Sequence, residues 1–296
     1  MTSTLAGLFL GRSLQVPDQS GRTFLITGAT SGIGRYCTEQ LSAAGARVIL
    51  AVRNTEAGRH IAEQLPTPGR VLPLDLADLR SVREGARRLD EDVDVVIGNA
   101  GVMQLTGGQT RDGFEINMGV NHLGHFALVG QILPRIRERY VAVSSYTHRR
   151  ARIDVPRMEL PPARGGRTGM AAYGASKLAC QLFALELNRR LALAGSPVKA
   201  VAGDPGYTAS DLFQDETNPY RKATLYLGAA LFAMPVEKGA APILAAATAD
   251  LPGGALLGGI RPGVRPARPG PAATPALAAA VWARSVELTG VDFGGL

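Results

Sequence analysis

Tyr173 and Lys177, in the run Tyr173-Gly174-Ala175-Ser176-Lys177, stand four residues apart, the spacing that puts two side chains on one face of a helix. A free tyrosine, with a pKa of about 10, is a poor acid or base near neutrality. An ammonium beside it stabilises the phenolate, so the pair predicts a phenol tuned down toward the working range for proton transfer. A second stretch suits an anion. Thr27-Gly28-Ala29-Thr30-Ser31-Gly32-Ile33-Gly34 follows the apolar, β-branched run Thr23-Phe24-Leu25-Ile26 and precedes Tyr36 to Ala44, which reads as a helix with Leu41 turned inward and Gly45 as its stop. Unpaired N–H groups converge where a strand and a glycine turn meet a helix N-terminus, and the helix dipole there favours a pyrophosphate. The spacing is Gly-x-x-x-Gly-x-Gly, not the Gly-x-Gly-x-x-Gly of most dinucleotide folds.

The elements that must position these groups alternate strand and helix, which predicts a parallel sheet covered on both faces. After the first unit come a strand at Arg47 to Val52, a helix at Thr55 to Leu65, a strand at Val71 to Leu74 and a helix from about Leu79 to Leu89. Val93 to Ile97 reads as the fourth strand, Glu115 to about Arg137 as one long helix and Tyr140 to Val143 as the fifth strand. Ala171 to about Leu193 is a further long helix, Val198 to Ala202 the sixth strand, and Leu256-Leu257 the start of a short seventh. Ligands of such doubly wound sheets bind beyond the carboxyl ends of the strands. At the end of the second strand, where many dinucleotide folds place an acid for the adenosine ribose, the chain reads Arg53-Asn54. A guanidinium there suits a 2′-phosphate through its planar fork, and Arg35 after the last glycine offers a second positive charge.

Composition bounds the rest. At 296 residues the chain can bury a substantial core in one α/β domain. We divide it into an N-terminal extension (1–20), a dinucleotide-binding catalytic domain (21–250) and a Gly/Pro-rich tail with a terminal helix (251–296) at Ala276 to Leu288, in which Trp282 packs inward. The net charge of +7 comes mostly from arginines scattered along the chain, since only Lys177, Lys199, Lys222 and Lys238 are lysines. With no nucleic-acid motif beside them, these charges predict no specific nucleic-acid partner. No apolar run reaches the roughly 18 residues of a membrane span, and Leu5 to Leu10 lacks the basic leader and cleavage site of a secretion signal. Cys37 and Cys180 are far apart and read as reduced, buried thiols, so the expected location is cytoplasmic.

The form Thr-Gly-x-x-x-Gly-Ile-Gly, the Tyr173/Lys177 pair and the run Val120-Asn121-His122-Leu123-Gly124-His125-Phe126 together resemble the short-chain dehydrogenase/reductase family, most closely its retinol-dehydrogenase-like branch, from about residue 20 to about residue 250. The resemblance implies a Rossmann-type doubly wound, seven-stranded, mainly parallel sheet in a single domain. It implies NADP(H) as cofactor, with Gly28, Ser31, Gly32, Ile33 and Gly34 at the glycine turn and Arg53 and Asn54 after the second strand. Asp75 and Leu76 then serve the adenine, Asn99, Ala100 and Gly101 the ribose, and Pro205, Gly206 and Thr208 the carboxamide end. The catalytic set is Asn121, Ser145, Tyr173 and Lys177, with Ser145 holding the substrate oxygen, Asn121 ordering a water near the lysine, and Lys177 also touching the nicotinamide ribose.

Two departures stand out. Gly98 replaces the first Asn of the family's Asn-Asn-Ala-Gly, and Asp204 stands where the branch commonly has His or Asn before Pro-Gly. The resemblance accounts for His122 and His125 as part of a helix signature, and without a nearby acid or cysteine they make an incomplete metal shell, so no metal is expected.

Substrate choice falls to the insert Arg149 to Met170 and to Ala209 to about Pro235, a candidate lid whose Tyr220, Tyr226, Leu227 and Phe232 suit an apolar small molecule. The expected activity is an NADP(H)-dependent exchange between a carbonyl and a secondary alcohol, with Tyr173 as general acid/base. Two readings stay open beside it, a non-catalytic cofactor-binding regulator and a reductase of an activated C=C bond. A homo-oligomer is compatible with the sequence.

Overall fold

The structure is a computed structural model that describes residues 15–160, 168–208, 234–258, 264–294 and 296. Seven strands form one sheet in the order β3-β2-β1-β4-β5-β6-β7. They are β1 (Thr23–Thr27), β2 (Arg47–Val52), β3 (Arg70–Pro73), β4 (Val93–Gly98), β5 (Ile136–Val143), β6 (Lys199–Asp204) and β7 (Leu256–Gly258). All neighbouring strands pair in parallel, and buried apolar strands of this kind need helices on both faces. The chain runs outward from β1 to β3 and then returns to β4 on the other side of β1. The crevice between the carboxyl ends of β1 and β4 is therefore the switch point at which such sheets bind ligands.

Alternation along each strand feeds two core layers. Phe24 and Ile26 of β1 join Val48, Leu50, Val95 and Ile97 on one face, against α1 (Gly32–Ala43), α2 (Thr55–Gln64) and α7 (Val236–Thr248). Leu25, Ile49 and Val96 join the opposite face, which is covered by α3 (Leu79–Arg88), α5 (Gly124–Ile132), α6 (Thr168–Leu193) and α8 (Pro275–Thr289). Helix α8 is fixed to this layer by an aromatic cluster: Trp282 lies 4.4 Å from Phe293 and 5.1 Å from Phe126 between ring centroids. Arg190 of α6 stacks 4.5 Å above the Trp282 ring. The stretch before α8 is held as well, since the Ala267 N–H donates to Leu256 O and the Gly258 N–H to Arg265 O, both at 2.8 Å.

Three expectations need correction. The long helix at Glu115 to Arg137 is instead α4 (Ile116–Met118), a π-turn (Gly119–Leu123), α5 and a short 3-10 turn (Leu133–Arg135). Pro134, which has no N–H to donate, ends it early. Strand β5 consequently begins at Ile136, four residues before the expected start. Its charged residues hid it: Glu138 pairs with Arg22, and Arg139 donates to Ala246 O at 2.8 Å and Ala249 O at 2.7 Å, closing the end of α7. Helix α7 itself was not expected, and Pro242 inside it interrupts the helical pattern. The candidate lid's Tyr220, Tyr226, Leu227 and Phe232 lie outside the described residues, as do Leu5 to Leu10, Arg261 and the middle of the first insert.

His122 and His125 are buried and point to different partners. His122 Nε2 meets Ser285 Oγ at 2.7 Å, and His125 Nε2 meets Thr27 Oγ1 at 2.8 Å. Burial depresses their pKa values to about 3 and about 4, with His125 adding to the effect on His122 and Lys177 to that on His125. Between these values and the ordinary 6.5 the unfolded chain binds more protons, so stability is full above pH 6.5 and falls as pH drops toward 4. Lowering pH from 7 to 5 should cost about 2 kcal/mol for each of the two. Urea midpoints at the two pH values check this, and His122→Gln should remove about half of the difference.

Candidate active site

The turn between β1 and α1 is held open by missing side chains. Gly28 and Gly32 have φ of 66° and 50°, a region that costs other residues strain. A Cβ on Gly34 would lie 2.3 Å from Gly28 O and 2.3 Å from Asn99 Nδ2, so only hydrogen fits. Ser31 caps α1 with extended backbone but makes no side-chain cap hydrogen bond, and the first turn of α1 carries no acid. Hydroxyl, N–H groups and dipole are thus disposed toward an anion. Beneath the turn, Asn99 Nδ2 donates to Thr27 O at 2.9 Å, and the Ala100 N–H donates to Thr27 Oγ1 at 2.9 Å. The Asn99 side chain therefore braces the glycine turn, while Ala100 and Gly101 present small residues beside it.

Gly98 is explained by Tyr140 of β5. A Cβ at Gly98 would meet the Tyr140 Oη at 2.6 Å and its ring at 3.0 Å, so the tyrosine fills the space an asparagine would need. Gly124 of the histidine-containing run is a similar case, because its Cβ would lie 2.6 Å from Leu76 O. Leu76 is thus clamped against α5. Asp75 Oδ1 accepts the Ala77 N–H at 3.0 Å and shapes its own turn. After β2, Arg53 and Asn54 are exposed. Asn54 Oδ1 accepts the Ala57 N–H at 3.1 Å and caps α2, whereas Arg35 is drawn into an ion pair with Glu39 at 2.8 Å.

At the other side of the crevice α6 carries Tyr173 and Lys177 against the end of β5. Both are buried, at 5% and 3% exposure. The Lys177 ammonium donates to Val143 O at 3.0 Å and lies 5.9 Å from the centroid of the Tyr173 ring. Contrary to the expectation from spacing, the Tyr173 phenol is pushed up, not down: burial dominates, the Ser145 hydroxyl facing it acts the other way, and the Asp204 charge adds to the rise. Burial also lowers the proton affinity of Lys177. The helical spacing put the two side chains on one face but did not show the desolvation that raises the phenol. Tyr173 is accordingly a protonated phenol near neutrality.

Asn121 sits in the π-turn with its side chain fully engaged. Oδ1 accepts the Val102 N–H at 2.7 Å, and Nδ2 donates to Val102 O at 3.0 Å and Ser176 Oγ at 2.9 Å. Its carbonyl accepts from His125 Nδ1 at 2.9 Å and Cys180 Sγ at 3.1 Å. Asn121 thereby ties the segment after β4 to α6. Ser144 Oγ donates to Lys177 O at 3.0 Å, and His148, absent from the sequence reading, donates from Nδ1 to Ser145 O at 2.6 Å. The local 3-10 turn at Tyr146–Arg150 folds His148 back onto Ser145. Beyond β6, Gly206 has φ 66°, and Thr208 Oγ1 donates to Pro205 O at 2.7 Å. Thr208 bridges Met234 in parallel. Among the described residues no group of three or more His, Cys, Asp or Glu side chains could hold a metal.

The sequence profile of the family described as short chain dehydrogenase matches residues 22–153. Over 94% of this chain and 87% of the relative, the sequence is 36% identical to mouse (Mus musculus) polyprenol dehydrogenase. The chain belongs to the short-chain dehydrogenase/reductase family. Human retinol dehydrogenase 11 is 38% identical over 68% of this chain and 64% of its own length, in keeping with the retinol-dehydrogenase-like branch. A solved structure of an uncharacterised protein from Mycobacterium Paratuberculosis superposes with a TM-score of 0.82 at 38% identity, covering 95% of this chain and 98% of the other. The Pseudomonas aeruginosa RhlG/NADP active-site complex superposes at 0.62 with 25% identity over 82% and 96%. As a short-chain dehydrogenase/reductase the chain is an oxidoreductase that uses a nicotinamide cofactor, and the N-terminus of α1, with the Ser31 side chain making no cap hydrogen bond and no acid in the first turn, fits the pyrophosphate of one. Within this short-chain dehydrogenase/reductase, Gly98→Asn should lower stability by about 1–3 kcal/mol through overpacking, and adding Tyr140→Val should restore most of it in a urea titration.

Proposed function

We propose that the protein is an NADP(H)-dependent oxidoreductase that interconverts a carbonyl and an alcohol on an apolar small molecule. The observation that carries the reading is the buried Tyr173 phenol, faced by Ser145 and followed by Lys177, across the crevice from the glycine turn. Gly28, Ser31, Gly32, Ile33 and Gly34 would hold the pyrophosphate, Asp75 and Leu76 the adenine, Ala100 and Gly101 the ribose, and Pro205, Gly206 and Thr208 the carboxamide. When bound, the nicotinamide supplies the redox chemistry. Ser145 orients the substrate oxygen by hydrogen bonding, and Tyr173 gives its proton to that oxygen. Lys177, fixed by Val143 O, keeps a positive charge beside the phenolate left behind. In oxidation the same groups run in reverse.

NADP(H) is favoured over NAD(H) by Arg53 and by the lack of an acid after β2. An apolar substrate is supported by exposed Met170, one turn before Tyr173 on α6, and exposed Tyr207 beside Gly206. The names of the polyprenol and retinol dehydrogenase relatives support an isoprenoid alcohol or aldehyde in particular.

Incubation with NADPH or NADP⁺ and a panel of retinal, retinol, short polyprenols, ketones and enones tests the reading: carbonyl or alcohol turnover is expected. Binding of NADPH without turnover, or saturation of enones alone, would overturn it. Tyr173→Phe should abolish turnover and leave NADPH binding nearly intact. Arg53→Asp should shift the ratio of kcat/KM for NADPH over NADH by at least about tenfold toward NADH, read by absorbance at a fixed substrate concentration.

A further inference from the structure

His125, 2% exposed, stands in the first turn of α5 with its ring over Gly98, where a Cβ would come 3.1 Å from His125 Cδ2. Its two ring nitrogens face two different elements. Nδ1 lies 2.9 Å from Asn121 O in the π-turn, and Nε2 lies 2.8 Å from Thr27 Oγ1 at the end of β1. A carbonyl oxygen has no proton to give, so Nδ1 carries the hydrogen and donates. Burial keeps the imidazole neutral, which leaves Nε2 a bare acceptor. The Thr27 hydroxyl donates to it, Ile97 O being farther off at 3.4 Å, while the same Oγ1 accepts the Ala100 N–H at 2.9 Å.

His122, three residues earlier, is fixed in the opposite form. Ser285 Oγ gives its one proton to Val281 O at 2.8 Å, so toward His122 Nε2, at 2.7 Å, it can only accept. His122 Nδ1 is left bare, buried and without a hydrogen-bond partner among the described residues. Neighbouring hydrogen bonds, not chance, thus select the proton's place on each ring.

The bonds through His125 run in one direction from the crevice toward α6: Ala100 N–H to Thr27 Oγ1, Thr27 O–H to His125 Nε2, and His125 Nδ1–H to Asn121 O. From the same Asn121, Nδ2 donates to Ser176 Oγ at 2.9 Å, and Ser176 Oγ donates to Tyr173 O at 2.7 Å. Asn121 Oδ1 and Lys177 Nζ also converge on Gly101, where a Cβ would lie 3.1 Å from the first and 3.2 Å from the second. We propose that His125 is a positioning residue: held as its Nδ1–H tautomer, it ties the glycine turn at Thr27 to Asn121 and so sets the Tyr173 turn of α6 against the dinucleotide crevice. The inference rests on the reading of Tyr173 as the proton donor. An apolar side chain could fill the space over Gly98, but it would bond neither Thr27 nor Asn121.

The tautomer is read from the imidazole ¹⁵N resonances of wild-type protein at pH 7. His125 should be protonated at Nδ1 alone and His122 at Nε2 alone; an Nε2–H or a charged ring at His125 would overturn the inference. Two variants then divide the ring's bonding. His125→Asn places an amide near the position of Nδ1 and can still donate to Asn121 O, whereas His125→Gln reaches the position of Nε2 and can still accept from Thr27. Each should lower kcat for carbonyl reduction by at least about tenfold while the KM for NADPH stays within about threefold. Thr27→Val should do the same, and combining it with His125→Asn should cost no more than about a further twofold, as expected of one connected chain. Either His125 variant with near-normal kcat, or losses that multiply in the double variant, would contradict the proposal. Should the His125 variants not fold, the wild-type resonances and the kinetics of Thr27→Val decide the matter. The resonances need no turnover, so their failure is distinct from failure of the proposed activity, which would show as wild-type protein that binds NADPH and reduces nothing.

Discussion

Desolvation of a phenol and an ammonium at the end of β5 is the constraint around which the site is built. Neither group can rely on water, so each depends on fixed protein dipoles and charges. Lys177 donates to the Val143 carbonyl, while burial lowers its proton affinity. Tyr173 keeps its proton because nothing within the pocket compensates a buried phenolate fully, the Ser145 hydroxyl offsetting only part of the burial. A phenol so placed holds its proton near neutrality.

The sheet makes this arrangement rigid. Parallel pairing sets the ends of β1, β4, β5 and β6 along one edge, and short polar contacts then fasten the segments that follow them. Thr27, Asn99 and His125 join β1 and β4 to α5; Asn121 and Ser176 join the segment after β4 to α6; Ser144 joins the end of β5 to α6, and His148 braces Ser145 within the loop. The π-turn at Gly119–Leu123 matters here, since it aims the Asn121 carbonyl at His125 and Cys180. Widened helical turns of this sort recur at functional sites.

Much of this was legible in sequence because it is local. Strand β2 has the bounds that its apolar run predicts, and the glycine turn, the paired Tyr173 and Lys177 and the terminal helix with Trp282 all fall where spacing placed them. What was not legible depends on distant neighbours. Ile136–Arg139 looks helical and charged until Arg22 and the end of α7 are set beside it. Gly98 looks like a defect until the Tyr140 ring is found in its place. The direction of the Tyr173 shift was the most consequential miss, for a helical repeat reports which charge is near but not how much water has been excluded.

The most direct test of the account is a crystal structure with NADPH and an unreactive alcohol or ketone analogue bound. The account predicts the pyrophosphate on the N–H groups of Gly32 to Gly34, and the analogue's oxygen within hydrogen-bond distance of both the Tyr173 hydroxyl and Ser145, in front of the nicotinamide. A dinucleotide bound elsewhere, or a Tyr173 hydroxyl turned away from that oxygen, would contradict it.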